Sequence, residues 1–204
     1  FDSILENLDM GAMIHFEAHH KSGWGLAMDY AFMDLSHKKS NQRDGFIDAR
    51  LRQGVLETLV MYRVADRTNT LDYFAGVRWW DNDLELTLDP SITNGSAKLA
   101  VKEDWVDGVF GLRLITALNK RWHFVGRADL GGFGFTADFT STVEAGISYK
   151  ISQLMTLNMK YKATWVDYDN EENIGGSGNY QYDTLTHGPI LGLNFSFLIS
   201  VFSF

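Results

Sequence analysis

Cysteine is absent from this 204-residue chain, and proline occurs only twice, at Pro90 and Pro189. Without cysteine, the chain has no disulfide framework, no thiolate metal site and no thiol nucleophile. It also lacks any run of about 20 continuous apolar residues, which excludes a transmembrane helix. That absence still permits a membrane β-barrel, because each barrel strand crosses with only about 9–11 residues and leaves no hydropathy peak.

Positive charge is in short supply as well. The formal net charge is −8, and the sequence contains no basic stripe that could bind a phosphate backbone, so we expect no nucleic-acid partner. Nineteen glycines and an aromatic share of 14% accompany the scarce prolines. This composition is more typical of long β-strands joined by tight turns than of helices.

Apolar and polar residues alternate along almost the whole chain. In residues 142–151 every second position from Val143 to Ile151 is apolar, whereas Thr142, Glu144 and Lys150 occupy the other face. A period of two predicts a β-strand. The sequence predicts nine strands, of which the third has the weakest pattern: about 9–20, 24–36, 46–64, 70–92, 97–118, 122–136, 140–152, 155–168 and 180–197.

The connections between these strands differ in length from one rim to the other. Short turns are predicted at 21–23, 65–69, 119–121 and 152–154, and long polar loops at 36–45 and 169–179. The dipeptide Asn94-Gly95 predicts a further hairpin turn, at 93–96. Short turns on one rim and long loops on the other are typical of outer-membrane barrels.

The polar face indicates which side of the sheet is interior. In GRADLGGFGF (126–135), Arg127 and Asp129 share one face, and Phe124, Ala128 and Leu130 share the other. A narrow lumen needs small residues for clearance and charges of both signs that neutralise each other, since unpaired buried charge is costly. The predicted lumen charge network is Arg78, Asp107, Arg113, Arg127, Asp129, Glu144 and Lys160.

Aromatic residues near the strand ends favour the same orientation. Their amphipathic rings suit the headgroup level of a membrane. The predicted girdle is Trp24, Trp79, Trp105, Trp122, Tyr149 and Trp165. The alternative is a soluble β-sandwich or barrel whose apolar face forms the core and whose charges are exposed.

The predicted number of strands, nine, is odd, and this conflicts with the strand numbers of outer-membrane barrels. Single-chain outer-membrane barrels have an even number of strands with both ends on the periplasmic side. We therefore expect residues 1–204 to form one transmembrane up-and-down β-barrel domain with nine visible strands, ten in the intact protein, and a missing strand before Phe1.

Several segments resemble a family of Gram-negative outer-membrane β-barrel proteins of poorly defined function. They are NLDMGAMIHFEAHHKSGWGLAMDYAFMDL (7–35), AGVRWWDNDLEL (75–86), DWVDGVFGLRL (104–114), GRADLGGFG (126–134) and THGPILGLNFSF (186–197). The resemblance covers most of the chain and implies location in the cell outer membrane. It also implies an aromatic-rich strand before Phe1, and it brings no catalytic residue to carry over.

Three functions remain open at this point. The first is a structural or anchoring barrel with a plugged lumen, and the second is a narrow, porin-like channel for small solutes. The third is an omptin-like hydrolase at the rim, for which Asp81 with Asp83, Asp183 with His187, and Glu17 with His19 are weak candidates. We assign no catalytic residue, metal ligand or cofactor; the expected partners are outer-membrane lipid and lipopolysaccharide, with any protein partner unidentified.

Overall fold

All nine predicted strands are present in the computed structural model, which describes residues 8–41, 45–89, 97–134, 137–170 and 180–197. No helix within these ranges is long and apolar enough to cross a membrane. The predicted turn at 93–96 lies outside the described residues, as does most of the loop at 169–179. The strands are β1 (Leu8–His19), β2 (Trp24–Asn41), β3 (Gly45–Ala65), β4 (Asn69–Asp89), β5 (Ala97–Ala117), β6 (Trp122–Gly132), β7 (Phe139–Lys150), β8 (Met155–Asn170) and β9 (Tyr180–Phe195).

The strands form one antiparallel sheet in which each strand pairs with its neighbour in sequence, in the order β1 to β9. This up-and-down order confirms the predicted all-β class and is the strand order of up-and-down barrels. Even the weakly patterned third strand is regular throughout its length.

Contacts divide the chain into two compact units. Unit 1 comprises Phe1–Ala18, Leu26–Leu59 and Gly76–Val106, and unit 2 comprises His19–Gly25, Val60–Ala75 and Asp107–Phe204. Every boundary between them falls inside one of the strands β1 to β5, rather than at a linker.

The register within unit 2 keeps like faces together from strand to strand. Leu112 in β5 lies opposite Ala128 in β6, which lies opposite Val143 in β7. One step along, Arg127 lies between Arg113 and Glu144. The alternation seen in each strand therefore becomes a continuous apolar face and a continuous charged face across β5, β6 and β7 of unit 2.

Burial on these two faces is opposite to that of a water-soluble sheet. In unit 2, Val143 is 57% exposed, whereas its neighbours Thr142 and Glu144 are 1% and 8% exposed. In unit 1, Val77 is 50% exposed beside Arg78 at 3%. Exposed side chains include Leu112, Phe124 and Ile147, so these residues form no apolar core.

Strand β6 ends four residues earlier than predicted, at Gly132 rather than 136. Gly132 and Gly134 have φ values of 88° and 69°, and Phe133 between them has φ 58°. Three successive residues in the left-handed region turn the chain away from the sheet, and glycine adopts that region readily. The alternation of aromatic residues and glycine in GGFGF does not reveal this change of backbone hand.

Glycine at position 146 lets β7 approach β8 closely, and this close approach is testable. A Cβ added at Gly146 would meet the carbonyl oxygen of Met159 and lie 2.5 Å from Cα of Lys160. We expect Gly146→Ala to lower the free energy of unfolding by about 1–3 kcal/mol, as overpacking does. Urea unfolding followed by circular dichroism measures the change.

Gly188→Ala in β9 is the matched control, because nothing lies within 4 Å of its added Cβ. Its unfolding free energy should stay within about 0.5 kcal/mol of the wild type. Equal losses in the two variants would contradict the close approach of β7 and β8.

Candidate functional site

The buried charged face is the candidate site, and Arg127 with Asp129 illustrates how it is built. Because both residues lie on one face of β6, the Arg127 guanidinium reaches Asp129 along the strand. It donates from Nη2 at 2.9 Å and from Nε at 3.2 Å to the same carboxylate oxygen, Oδ2. The guanidinium also lies over the ring of Phe74, 4.7 Å from its centroid. The pair is thus neutralised and held against an aromatic surface.

Asp72 in β4 is a carboxylate of unit 2 with several charge-assisted hydrogen bonds. Its side chain is fully buried, and two arginines converge on it. Arg63 donates to both oxygens, at 2.7 and 3.0 Å, and Arg113 donates twice to Oδ2, at 3.0 and 2.6 Å. A carboxylate with this many charge-assisted hydrogen bonds is a fixed structural centre rather than a proton acceptor.

Two further acids of unit 2 are satisfied in different ways. Lys160 in β8 donates to Glu144 in β7 at 2.7 Å. Asp107 is completely buried and accepts a hydrogen bond from the backbone N–H of Ala137 at 3.2 Å. Asp107 thereby ties the segment after β6 to the charged face.

Unit 1 carries its own buried ion pair. Arg78 in β4 donates to Glu57 Oε2 in β3, from Nε at 2.9 Å and from Nη2 at 2.5 Å, and both side chains are almost completely buried. The same guanidinium lies 6.0 Å from the ring centroid of Trp80. Trp80 in turn stacks on Trp105, with centroids 5.6 Å apart.

All seven predicted lumen charges lie on the polar face of their own strands, but two of their partners were not among the predicted residues. Glu57 is the partner of Arg78, and Asp72 is the partner of Arg113 and also of Arg63. Asp72 does share the polar face of its strand with Arg78, so the alternation contained a signal for it. Glu57 belongs to the strand with the weakest alternation, where that signal is lost.

The predicted aromatic girdle divides between the two faces. Trp24, Trp79 and Trp165 are exposed, and Trp122 packs on Tyr149 with centroids 4.7 Å apart. Trp105 differs from the prediction: it is buried on the charged face, next to Asp107 along that face of β5. Trp105 lies two residues before Asp107, so the alternation places both side chains on the same face of β5.

Among the residues weighed for hydrolysis, Asp183, His187 and Asp81 each have a separate partner. Asp183 accepts a hydrogen bond from Nε1 of Trp165 at 3.3 Å, whereas Nδ1 of His187 lies 2.5 Å from the hydroxyl of Tyr161. Each is therefore engaged by a different aromatic residue of β8. Asp81 lies 3.7 Å from the ammonium of Lys102.

His15 has partners that the sequence analysis missed. Its Nδ1 lies 2.6 Å from Oδ1 of Asp29, and its Nε2 lies 3.2 Å from Oε2 of Glu17. His15 and Glu17 are two apart on one face of β1, and this spacing was the available signal. The adjacent strand supplies Asp29.

No protein-family model and no curated protein matches this sequence. The resemblance to Gram-negative outer-membrane barrels therefore stays a prediction, resting on the segments quoted above.

The importance of Asp72 can be measured by removing its charge. Asp72→Asn keeps the shape but leaves Arg63 and Arg113 without the carboxylate they share. Because breaking a buried ion pair strands an uncompensated charge, we expect a loss of about 3–5 kcal/mol in unfolding free energy. Urea titration of the folded protein measures the loss.

Asp183→Asn is the control, since it removes the same charge from an exposed carboxylate. Its unfolding free energy should change by no more than about 0.5 kcal/mol. A loss for Asp72→Asn as small as this would show that the two arginines do not depend on Asp72.

Proposed function

We propose that this chain is an integral outer-membrane β-barrel of a Gram-negative bacterium, with a polar, largely plugged lumen and a structural or anchoring role. The observation that carries the proposal is the reversed burial of the two faces. Val143 is exposed between the buried Thr142 and Glu144. Hydrocarbon surroundings remove the cost of exposing an apolar face, whereas water does not.

Sheet architecture supports the same proposal. Strands of 11 to 21 residues exceed the 5–6 residues usual in soluble sheets and meet the roughly 9–11 that a tilted membrane strand needs. An up-and-down order lets every backbone group pair once such a sheet closes. Exposed Trp24, Trp79 and Trp165 suit the headgroup region, with outer-membrane lipid and lipopolysaccharide as the surrounding molecules.

The plugged lumen rests on how completely the charged face is filled. Long arginine side chains span to acids on neighbouring strands, as Arg78 does to Glu57 and Arg113 to Asp72. Trp80 and Trp105 add buried bulk beside the ion pair of unit 1, and Phe74 adds it beside Arg127 in unit 2. Small barrels are filled by their side chains in this way and leave no aqueous path.

Membrane exposure of the apolar face is directly testable because the chain has no native cysteine. We expect a nitroxide attached to Val143→Cys, in protein refolded into lipid vesicles, to be relaxed strongly by oxygen and weakly by a water-soluble nickel chelate. Apolar relaxants concentrate in hydrocarbon. Electron paramagnetic resonance power saturation measures both effects.

Thr68→Cys, in an exposed turn outside the strands, is the control and should respond mainly to the nickel chelate. If position 143 responds like position 68, or the protein folds fully in buffer without detergent or lipid, the membrane proposal is overturned.

Conductance separates the plugged barrel from the channel alternative. We expect no stable single-channel steps from the wild-type protein in a planar bilayer, because paired side chains fill the interior. Stable steps would establish a channel instead.

Glu57→Ala combined with Arg78→Ala removes one buried pair as a unit, leaving neither charge without its partner. We expect this double variant to conduct intermittently. A double variant that folds and stays as silent as the wild type would show that this pair does not block a path.

A further inference from the structure

The short turns of unit 2 carry basic residues whose surroundings differ from those of the buried cations. These residues are all exposed: Lys21, Arg67, Lys120, Arg121 and Lys150. None of the five forms an ion pair with a carboxylate in the part of the chain that the structure describes. By contrast, Arg113, Arg127 and Lys160 of the same unit each reach a buried acid.

The single acid in these turns does not offset the basic residues. Asp66 accepts hydrogen bonds from the backbone N–H groups of Thr68 and Asn69, both at 2.7 Å. The bonds from Asn69 and then Thr68 hold the pKa of the Asp66 carboxyl below its ordinary value. Asp66 is ionised at neutral pH, and its own turn satisfies its oxygens.

Two of the basic residues are brought together by the register of β6 and β7. Trp122 lies opposite Tyr149, and the backbone N–H of Lys150 donates to the carbonyl oxygen of Arg121 at 2.8 Å. Arg121 also donates from Nη1 to the hydroxyl of Tyr149 at 3.0 Å. Like charges opposed across a strand pair are destabilising, unless an anion lies between them.

The neighbours of this cluster are those of a membrane interface. Trp122 and Tyr149 pack on each other beside Arg121. The two adjoining turns also carry exposed apolar side chains, Leu118 and Leu154. A guanidinium, an ammonium, amphipathic rings and apolar side chains together match a phosphate diester attached to acyl chains.

We propose that Arg121 and the Tyr149 hydroxyl, together with the exposed Lys120 and with Lys150 from the other face of β7 at the same rim, form a binding site for the phosphate headgroup of an anionic phospholipid. The site lies at the membrane leaflet that faces the short turns, so this inference rests on the proposed membrane function. Arg121 supplies a forked donor set for the phosphate oxygens, and the two lysines supply positive charge. Lys21 and Arg67, in the other short turns of unit 2, add to the electrostatic attraction between these turns and an anionic membrane surface.

The test uses a short-chain anionic lipid below its micelle concentration. Dihexanoyl-phosphatidylglycerol is titrated onto the full chain in a zwitterionic detergent, and the midpoint of thermal unfolding is followed by circular dichroism. A ligand that binds the folded state raises this midpoint with concentration. We expect phosphatidylglycerol to raise the midpoint, and equal concentrations of dihexanoyl-phosphatidylcholine or inorganic phosphate to leave it unchanged.

Variants assign the effect to the site. Arg121→Gln combined with Lys150→Gln should weaken the apparent affinity for phosphatidylglycerol by about thirtyfold, given what each basic residue contributes near an anionic surface. Lys102→Gln, at an exposed lysine near the start of β5, is the control and should respond like the wild type. Arg121→Lys should recover part of the loss, because it restores the charge without the fork.

Three outcomes would overturn the proposal: an equal response to the zwitterionic lipid, an equal response to inorganic phosphate, or an equal loss in Lys102→Gln. Failure of the membrane proposal is separately visible. A chain that folds in buffer without detergent can still be titrated with the soluble lipid, and its response reports on the site alone.

Discussion

A charge on the buried face of this sheet is tolerated only where a partner of opposite sign or a hydrogen-bond donor lies within reach. Removing a carboxylate or guanidinium from water costs several kcal/mol, and well-formed hydrogen bonds must offset that cost. Asp72 meets the requirement with two arginines and Asp129 with one, whereas Asp107 accepts from a backbone N–H. The positions of the remaining long side chains follow from where these acids lie.

Space on the same face is as constrained as charge. Long side chains such as Arg113 and Lys160 extend along the face to their acids, and glycines let the strands approach beside them. Gly111, for example, would place a Cβ 2.7 Å from Cβ of Asp129. Glycine and paired charge are therefore two parts of one arrangement on this face.

The cations of the sheet and those near its turns differ in whether an acidic side chain lies beside them. On the charged face of unit 2, cations are matched by acids, as Lys160 is by Glu144. At the rim of the turns, Arg121 lies opposite Lys150 and donates to the Tyr149 hydroxyl, and neither cation pairs with a carboxylate among the described residues. Cations that protein groups do not neutralise are available to an external anion, and this difference connects the fold to the proposed lipid contacts.

The sequence by itself determined the nine strands and which residues share a face, because alternation is a local property of the extended backbone. Arg127 with Asp129 was predictable from two residues of one strand for that reason. Only the tertiary structure decided that Glu57 pairs with Arg78, because cross-strand pairing depends on register and side-chain reach between distant segments. It also decided the burial of Trp105 against Trp80 and the end of β6 at Gly132, where packing and backbone hand outweigh the sequence pattern.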